Sequence, residues 1–250
     1  MRKNTSNTLI FLIYISFFTI IECVVRRDLI SNALVPKPTD LFVLFWQQKE
    51  VLFFAFWQTF YLSLSAFVFA GFFAFILGII LHQFVFAQKT LMPFALFLQT
   101  VPIIALAPLL VIYLGFSSLT TFIAGVIVCF FPVLISTLSG LERVSINQEE
   151  LLSFLKASGF QKLIYLKIPV AMPSVLSGLK TSAGLAVIGV VSGEFLVGGG
   201  LGALIDSSRL QQRVDFVFAS LILLSILGLF LMQSVEYIFN LLLKKYLVRS

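Results

Sequence analysis

Apolar residues run through this chain in long blocks separated by short polar stretches, and the blocks are long enough to cross a membrane. Six stand out, over about 8–25, 59–81, 91–113, 119–141, 174–197 and 216–243. A helix needs about 20 consecutive apolar residues to cross the hydrocarbon core. Only helices or closed barrels satisfy their backbone groups there. Barrel strands alternate in polarity and are shorter, so the pattern predicts an all-α membrane protein: a six-span helical bundle. No internal repeat is evident, and residues 1–250 read as a single transmembrane domain.

The interruptions carry information too. Between the first two blocks, Pro36 and Pro38 precede Thr39 and Asp40, a helix-start signal. Phe42, Phe45, Trp46, Phe53, Phe54 and Trp57 then predict a helix lying at the membrane interface, where aromatic rings are favoured. Gln47, Gln48, Lys49 and Glu50 in its middle argue against a seventh span. The longest polar interruption, 142–173, separates the fourth and fifth blocks. Within it, Glu149 and Glu150 suit the start of a short helix, because its N-terminal dipole favours carboxylates. Leu151, Leu152, Phe154 and Leu155 give that helix an apolar face. Gly159 permits a break or left-handed turn, Phe160 opens a second short helix over 160–167, and Pro169 marks re-entry to the membrane. Two short helices about a kink would present a knob to a soluble partner.

Composition agrees with a membrane chain. Charged residues are 11% and hydrophobic residues 60%, with a mean hydropathy of +1.07; a soluble domain carries about a quarter charged residues. The net charge of +6 comes without a basic cluster or stacking platform, which excludes a nucleic-acid binder. Placing the N-terminus in the cytoplasm puts most Lys and Arg on the inner side, including the lysines of the 142–173 loop. The positive-inside tendency therefore predicts two cytoplasmic termini and a cytoplasmic loop. Arg2 and Lys3 open the first block without a cleavage pattern near Cys23, so that block reads as a retained span.

Little in the chain suggests chemistry of its own. Cys23 and Cys129 sit inside apolar blocks, with no metal spacing or disulfide framework. Gly178-Leu179-Lys180-Thr181 lacks the Gly-Lys pair and strand context of a phosphate-binding loop. The glycine-rich 198–202 stretch reads as an outer loop, and His82 stands without other ligands. No metal, cofactor or catalytic site is predicted. An intramembrane enzyme would need a clustered set of acid, base or nucleophile that this chain lacks. The third block contains Pro93, Pro102 and Pro108. Proline removes a helix hydrogen bond, and the freed carbonyls need helices or a cavity to satisfy them. Gln99 and Thr100 beside Pro102 are therefore candidates to line a path. Glu194 is the acidic residue deep in a block and needs a partner or a water-filled cavity, which makes it, with Pro102, a candidate path or gate residue against a structural hydrogen bond. By depth, Gln99, Thr100 and Ser192 could supply that partner. Lys180 and Glu22 lie near enough to block ends to reach the interface.

The stretch from Glu149 to Pro173 resembles the cytoplasmic coupling loop of permease subunits in bacterial ABC importers. That pattern is Glu-Ala-Ala, three residues, Gly, nine residues, Ile, one residue, Leu-Pro. Taking Ile168-Pro169 as its end puts Glu150 at the Glu, Leu151 and Leu152 at the two Ala, Lys156 at the Gly and Leu166 at the Ile. Lys156 departs from the pattern, and Ala157 and Ser158 separate it from Gly159, the residue expected to carry the displaced kink.

Further stretches resemble the nitrate, sulfonate and taurine permease subfamily, which includes thiamine-precursor and riboflavin permeases. They are Pro38-Thr39-Asp40, Gln58-Thr59-Phe60, the run from Gln99 to Leu109, Phe131-Pro132-Val133, Ser139-Gly140-Leu141 and Ile188 to Phe195. The resemblance implies a type I ABC importer permease of the cell inner membrane. It implies a homodimer in the lipid bilayer, two copies of an ABC ATPase subunit that hydrolyse ATP, and an external or periplasmic substrate-binding protein. It also implies transport by alternating access, with selectivity largely in the binding protein. The alternative from the residues alone is a secondary transporter driven by an ion gradient. That alternative predicts inverted repeats and several intramembrane charges.

Overall fold

The computed structural model describes residues 34–247 together with 19–27, 29–31, Ile13 and Ser16, with side chains as far as residue 241 except that of Val85. Half of the expected first span, 8–25, lies outside the described residues, as do the ends of the chain; its last part is helical over 19–26. Among the described residues the regular structure is helical, with no strand. Helix α1 spans Pro38–Gln47, α2 Lys49–Gln83, α3 Val85–Thr100, α4 Ile103–Leu114 and α5 Ser118–Leu141. Helix α6 spans Ile146–Phe154, α7 Gly159–Lys162, α8 Ile168–Val197, α9 Gly200–Leu210 and α10 Val214–Leu247.

Four helical stretches are long and apolar enough to cross a membrane: Lys49–Gln83, Ser118–Leu141, Gly159–Val197 and Val214–Leu241. Helices α3 and α4 reach that length only as a pair, and they are bent by 98°. The third block is thus not one kinked span but two helices. The cause is local: Val101 and Pro102 are both extended, because a residue before proline is pushed out of the helical region and proline offers no N–H.

The expected interfacial helix over 42–57 is also divided. It stops at Gln47, and the rest of that aromatic stretch is the start of α2, which runs 35 residues. At 1.5 Å per residue this helix is about 50 Å long. The break at Gln48 lets Leu44 of α1 and Leu52 of α2 both bury against Phe216 and Ala219 of α10. Glu22 fixes the start of α1, since its carboxyl accepts from Thr39 N–H at 3.2 Å and Thr39 Oγ1 at 2.8 Å.

Small residues build the core. On α2 the buried positions Ala55, Thr59, Ser63, Ala66, Ala70, Ala74 and Gly78 recur every three or four residues along one face. Phe53, Phe54, Phe69, Phe72 and Phe73 point outward. Small residues let helix backbones approach where lipid offers no hydrophobic drive between helices. Helices α5 and α8 meet in the same way. A Cβ on Gly193 would stand 2.7 Å from Thr121 Cα, and one on Gly189 would stand 2.9 Å from Ala124 O. Cys129 and Ser182 exchange hydrogen bonds across this contact: Ser182 Oγ donates to Cys129 O at 2.8 Å and Cys129 Sγ to Ser182 O at 3.3 Å.

Candidate functional site

The polar loop after α5 is a built structure. Ser145 caps α6 through a reciprocal pair: its Oγ accepts from Gln148 N–H at 3.4 Å, and its own N–H donates to Gln148 Oε1 at 3.2 Å. Ser158 and Gln161 repeat the device at the start of α7, at 3.3 and 2.7 Å. Each pair satisfies N–H groups that a helix start leaves open. Helix α6 begins at Ile146 and carries Glu149 in its first turn, where the N-terminal dipole favours a carboxylate.

The turn between α6 and α7 is made by Lys156, at φ +55°. Ala157 N–H donates to Leu152 O and Lys156 N–H to Ser153 O, each at 2.9 Å. That is a Schellman ending, whose left-handed residue is usually glycine. Gly159 does not carry the kink. It is the first residue of α7, and a Cβ there would meet nothing within 4 Å. The break thus stays at the position the family pattern gives to glycine, occupied here by a lysine.

The second half of the loop is not a short helix either. The stretch Gly159–Val197 runs as one 39-residue helical element. A π-helical turn, Leu163–Lys167, includes Ile168 N–H bonded to Leu163 O. The wider turn admits Pro169 near the start of α8 without ending the helix, so Ile168 and Pro169 lie inside a continuous rod. Glu149 and Lys167 pair at 2.7 Å, Lys167 Nζ stands 3.2 Å from His82 Nε2, and Lys162 Nζ donates to Ser153 Oγ at 2.7 Å. These contacts tie α6 to the end of α2 and to the rod, around a cleft of about 530 Å³. The Lys167 hydrogen bond holds the Glu149 carboxyl below its ordinary value of 4.5. Outside this frame Ile146, Leu151, Phe154, Leu155 and Phe160 are exposed, Phe154 by 87%. Leu152 and Ala157 are half-buried beneath them, and Glu150 faces solvent.

The remaining candidates fall apart from the loop and from one another. Gln99 and Thr100 are exposed at the end of α3, where Thr100 Oγ1 donates to Phe97 O at 2.7 Å. Neither meets Glu194, and Ser192 donates instead to Ile188 O at 2.8 Å. Glu194 is 1% exposed. Its partners are Thr59 Oγ1, at 2.9 and 3.0 Å, and Gly202 N–H, at 2.8 Å. Depth along the blocks did not reveal these; the helix start at Gly200, three residues beyond the end of α8, was the available signal. Lys180, expected to reach the interface, pairs with Glu236 at 2.9 Å. Among the described residues no group of three His, Cys, Asp or Glu side chains could hold a metal ion.

A bundle of long apolar helices with small-residue contacts, carrying a capped polar loop, defines a polytopic membrane protein. Residues 70–245 match the family described as the binding-protein-dependent transport system inner membrane component, and the chain belongs to that family of ABC importer permeases. It is 34% identical to the formylaminopyrimidine transport permease protein ThiX of Halalkalibacterium halodurans over 67% of this chain and 69% of that one. It is 31% identical to the riboflavin transport system permease protein RibX of Chloroflexus aurantiacus over 65% of this chain and 59% of the relative. Some relatives are therefore matched over less than two thirds of their length. The fold is similar to a chain of the MetNI methionine ABC transporter solved in inward-facing conformations, with a TM-score of 0.64 and 15% identity. That match covers 78% of this chain and 97% of the other.

Proposed function

We propose that this chain is the membrane-spanning subunit of an ATP-driven importer, a homodimer of six-span protomers with cytoplasmic termini. The observation that carries the reading is the loop over 146–167. It is capped at both helix starts, tied down by Glu149 and Lys167, and still exposes Leu151, Phe154, Leu155 and Phe160. Exposed apolar side chains on a rigid frame suit a protein partner. In this reading Glu149, Glu150, Leu151, Leu152 and the Lys156–Phe160 turn dock on one of two ATPase subunits, and ATP is hydrolysed there. Ile168 and Pro169 lie in the rod that carries the push inward.

The bundles then rock as rigid bodies and open the path to each side in turn. An external binding protein delivers the solute. Gln99, Thr100 and Pro102, at the elbow of α3 and α4, border the path. A six-span count follows when the bent pair and the first apolar block each count as one span. The more similar named relatives carry a pyrimidine and a flavin, so flat heterocycles are the first solutes to try.

The test is uptake in proteoliposomes holding this chain, its ATPase and its binding protein. Labelled aminopyrimidine, riboflavin, an alkanesulfonate and nitrate serve as solutes. Uptake of one of them only with internal ATP supports the proposal. Uptake that follows an ion gradient without the ATPase replaces it with a secondary transporter.

A further inference from the structure

The first three backbone N–H groups of α9 are capped by side chains from two other helices. Gly200 N–H donates to Gln58 Oε1 at 2.7 Å, Leu201 N–H to Thr59 Oγ1 at 2.8 Å, and Gly202 N–H to Glu194 Oε2 at 2.8 Å. A helix start leaves such groups open, and the usual remedy is a side chain on its own cap residue. Here that residue is Gly199, which has none. Gln58 and Thr59 come from α2, and Glu194 from α8. Thr59 also donates to the carboxyl group of Glu194, so those two caps form one connected pair beside Gln58.

The glycines make room for this arrangement. A Cβ on Gly200 would overlap the Glu194 carboxyl group and Thr59 Oγ1, and one on Gly202 would stand 2.7 Å from Glu194 Cβ. Gly198, Gly199 and Gly200 have φ values of +94°, +84° and +64°. They turn the chain sharply between α8 and α9 but resist bending less than any other residues would. Left to the backbone, this joint would be the softest point between the two helices. The rod that ends at Val197 begins at Gly159 in the loop.

We infer that Gln58, Thr59 and Glu194 are positioning residues that weld α9 to α8 and α2. A displacement applied at the loop then reaches α9 as movement of one body, instead of being absorbed in the three glycines. Glu194 acts through the Gly202 N–H and the Thr59 hydroxyl and needs no contact with the transported solute. The inference rests on the reading of the loop as the surface that an ATPase pushes.

Two readouts test it, on the full complex in proteoliposomes. The first is uptake per ATP hydrolysed. Glu194→Leu and Thr59→Val should lower this ratio roughly tenfold, the scale of a buried hydrogen bond left unmade. Glu194→Gln keeps an acceptor for Gly202 and should stay within about twofold of wild type. The second is the distance between spin labels on Ser207 of α9 and Phe53 of α2, both exposed sites. The distribution should be narrow in wild type and Glu194→Gln, and broad in Glu194→Leu and Thr59→Val.

A normal ratio in both disruptive variants overturns the inference. So does a low ratio with an unchanged narrow distance, because the loss then lies elsewhere. Thr59→Val removes only a hydroxyl group, so it decides the matter if Glu194→Leu fails to fold. If wild type shows no ATP-dependent uptake, the loop reading fails, while the label distances still report on the weld.

Discussion

The carboxylate of Glu149 and the ammonium of Lys167 lie 2.7 Å apart, joining the middle of α6 to the end of the π-helical turn. The pair spans the Schellman turn at Lys156 and fixes how α6 sits against the rod. An exposed ion pair adds little to stability, so its weight is in orientation.

Reversing one partner should therefore harm coupling more than folding. Glu149→Lys sets two cations together beside His82 and should reduce ATP-dependent uptake several-fold, the size of a disturbed partly exposed pair. Combining it with Lys167→Glu should recover much of the loss. Initial uptake rates of the two single variants and the double variant check this. A double variant no better than either single one would remove the pair from the account.

The same pair predicts a dependence on pH. The Glu149 carboxyl is held below 4.5 in the folded chain by the Lys167 hydrogen bond. A depressed carboxylate stabilises the fold above its unfolded value, and that contribution is lost as pH falls through the folded value. The melting temperature of wild type should thus exceed that of Glu149→Gln near neutral pH. The two should converge once the pH drops well below 4.5. Melting curves across that range give the answer.

Lys156 and Gly159 should respond in opposite senses to what their residue types suggest. Lys156 has the left-handed φ, so Lys156→Gly relieves strain and should stabilise the chain by up to about 1 kcal/mol. Lys156→Pro cannot adopt φ +55° and should break the turn. Gly159 opens α7, Ser158 before it is extended, and nothing crowds its Cβ. Gly159→Pro should therefore be tolerated, as proline is at a first helical position. Melting temperatures of the three variants read out the ranking.

The contact between α5 and α8 offers a packing test. Gly193→Ala places a methyl group 2.7 Å from Thr121 Cα, where only backbone movement can make room. Overpacking of this kind costs about 1–3 kcal/mol. Gly228 of α10 has nothing within 4 Å, so Gly228→Ala is the control. Detergent melting should separate the two substitutions clearly.

The elbow can be probed by access to water. Gln99→Cys and Thr100→Cys, with the native Cys23 and Cys129 replaced, should react with a membrane-impermeant maleimide if they border an aqueous path. Labelling no faster than at Phe72→Cys, an exposed site in the middle of the apolar α2 span, would take these residues off the path.

The helical class and most block positions were legible because an apolar run of bilayer length has few other uses. The loop was legible in outline but not in detail. Ser145-x-x-Gln148 and Ser158-x-x-Gln161 are capping-box spacings that place both helix starts, and Glu149 falls in the first turn of the former. The kink was assigned to Gly159 by residue type, whereas Lys156 takes the left-handed turn because the Schellman bonds to Leu152 and Ser153 over-determine it. Tertiary geometry overrode local preference there. The partners of Glu194 were hidden because Thr59 and Gly202 lie on other helices, and depth along a block says nothing about rotation around it. The continuity of the rod through Pro169 depends on a π-helical turn, which has no simple sequence mark.

The most direct test of the central claim is photo-crosslinking from the loop. A benzoylphenylalanine at Phe154 or Phe160, exposed by 87% and 71%, is illuminated in native membranes of cells transporting the solute. The account predicts a crosslink from either position to an ATP-hydrolysing subunit, and none from Phe72, exposed in the middle of the apolar α2 span. Transport that continues in ATP-depleted cells under an ion gradient, with no crosslink from either loop position, would contradict it.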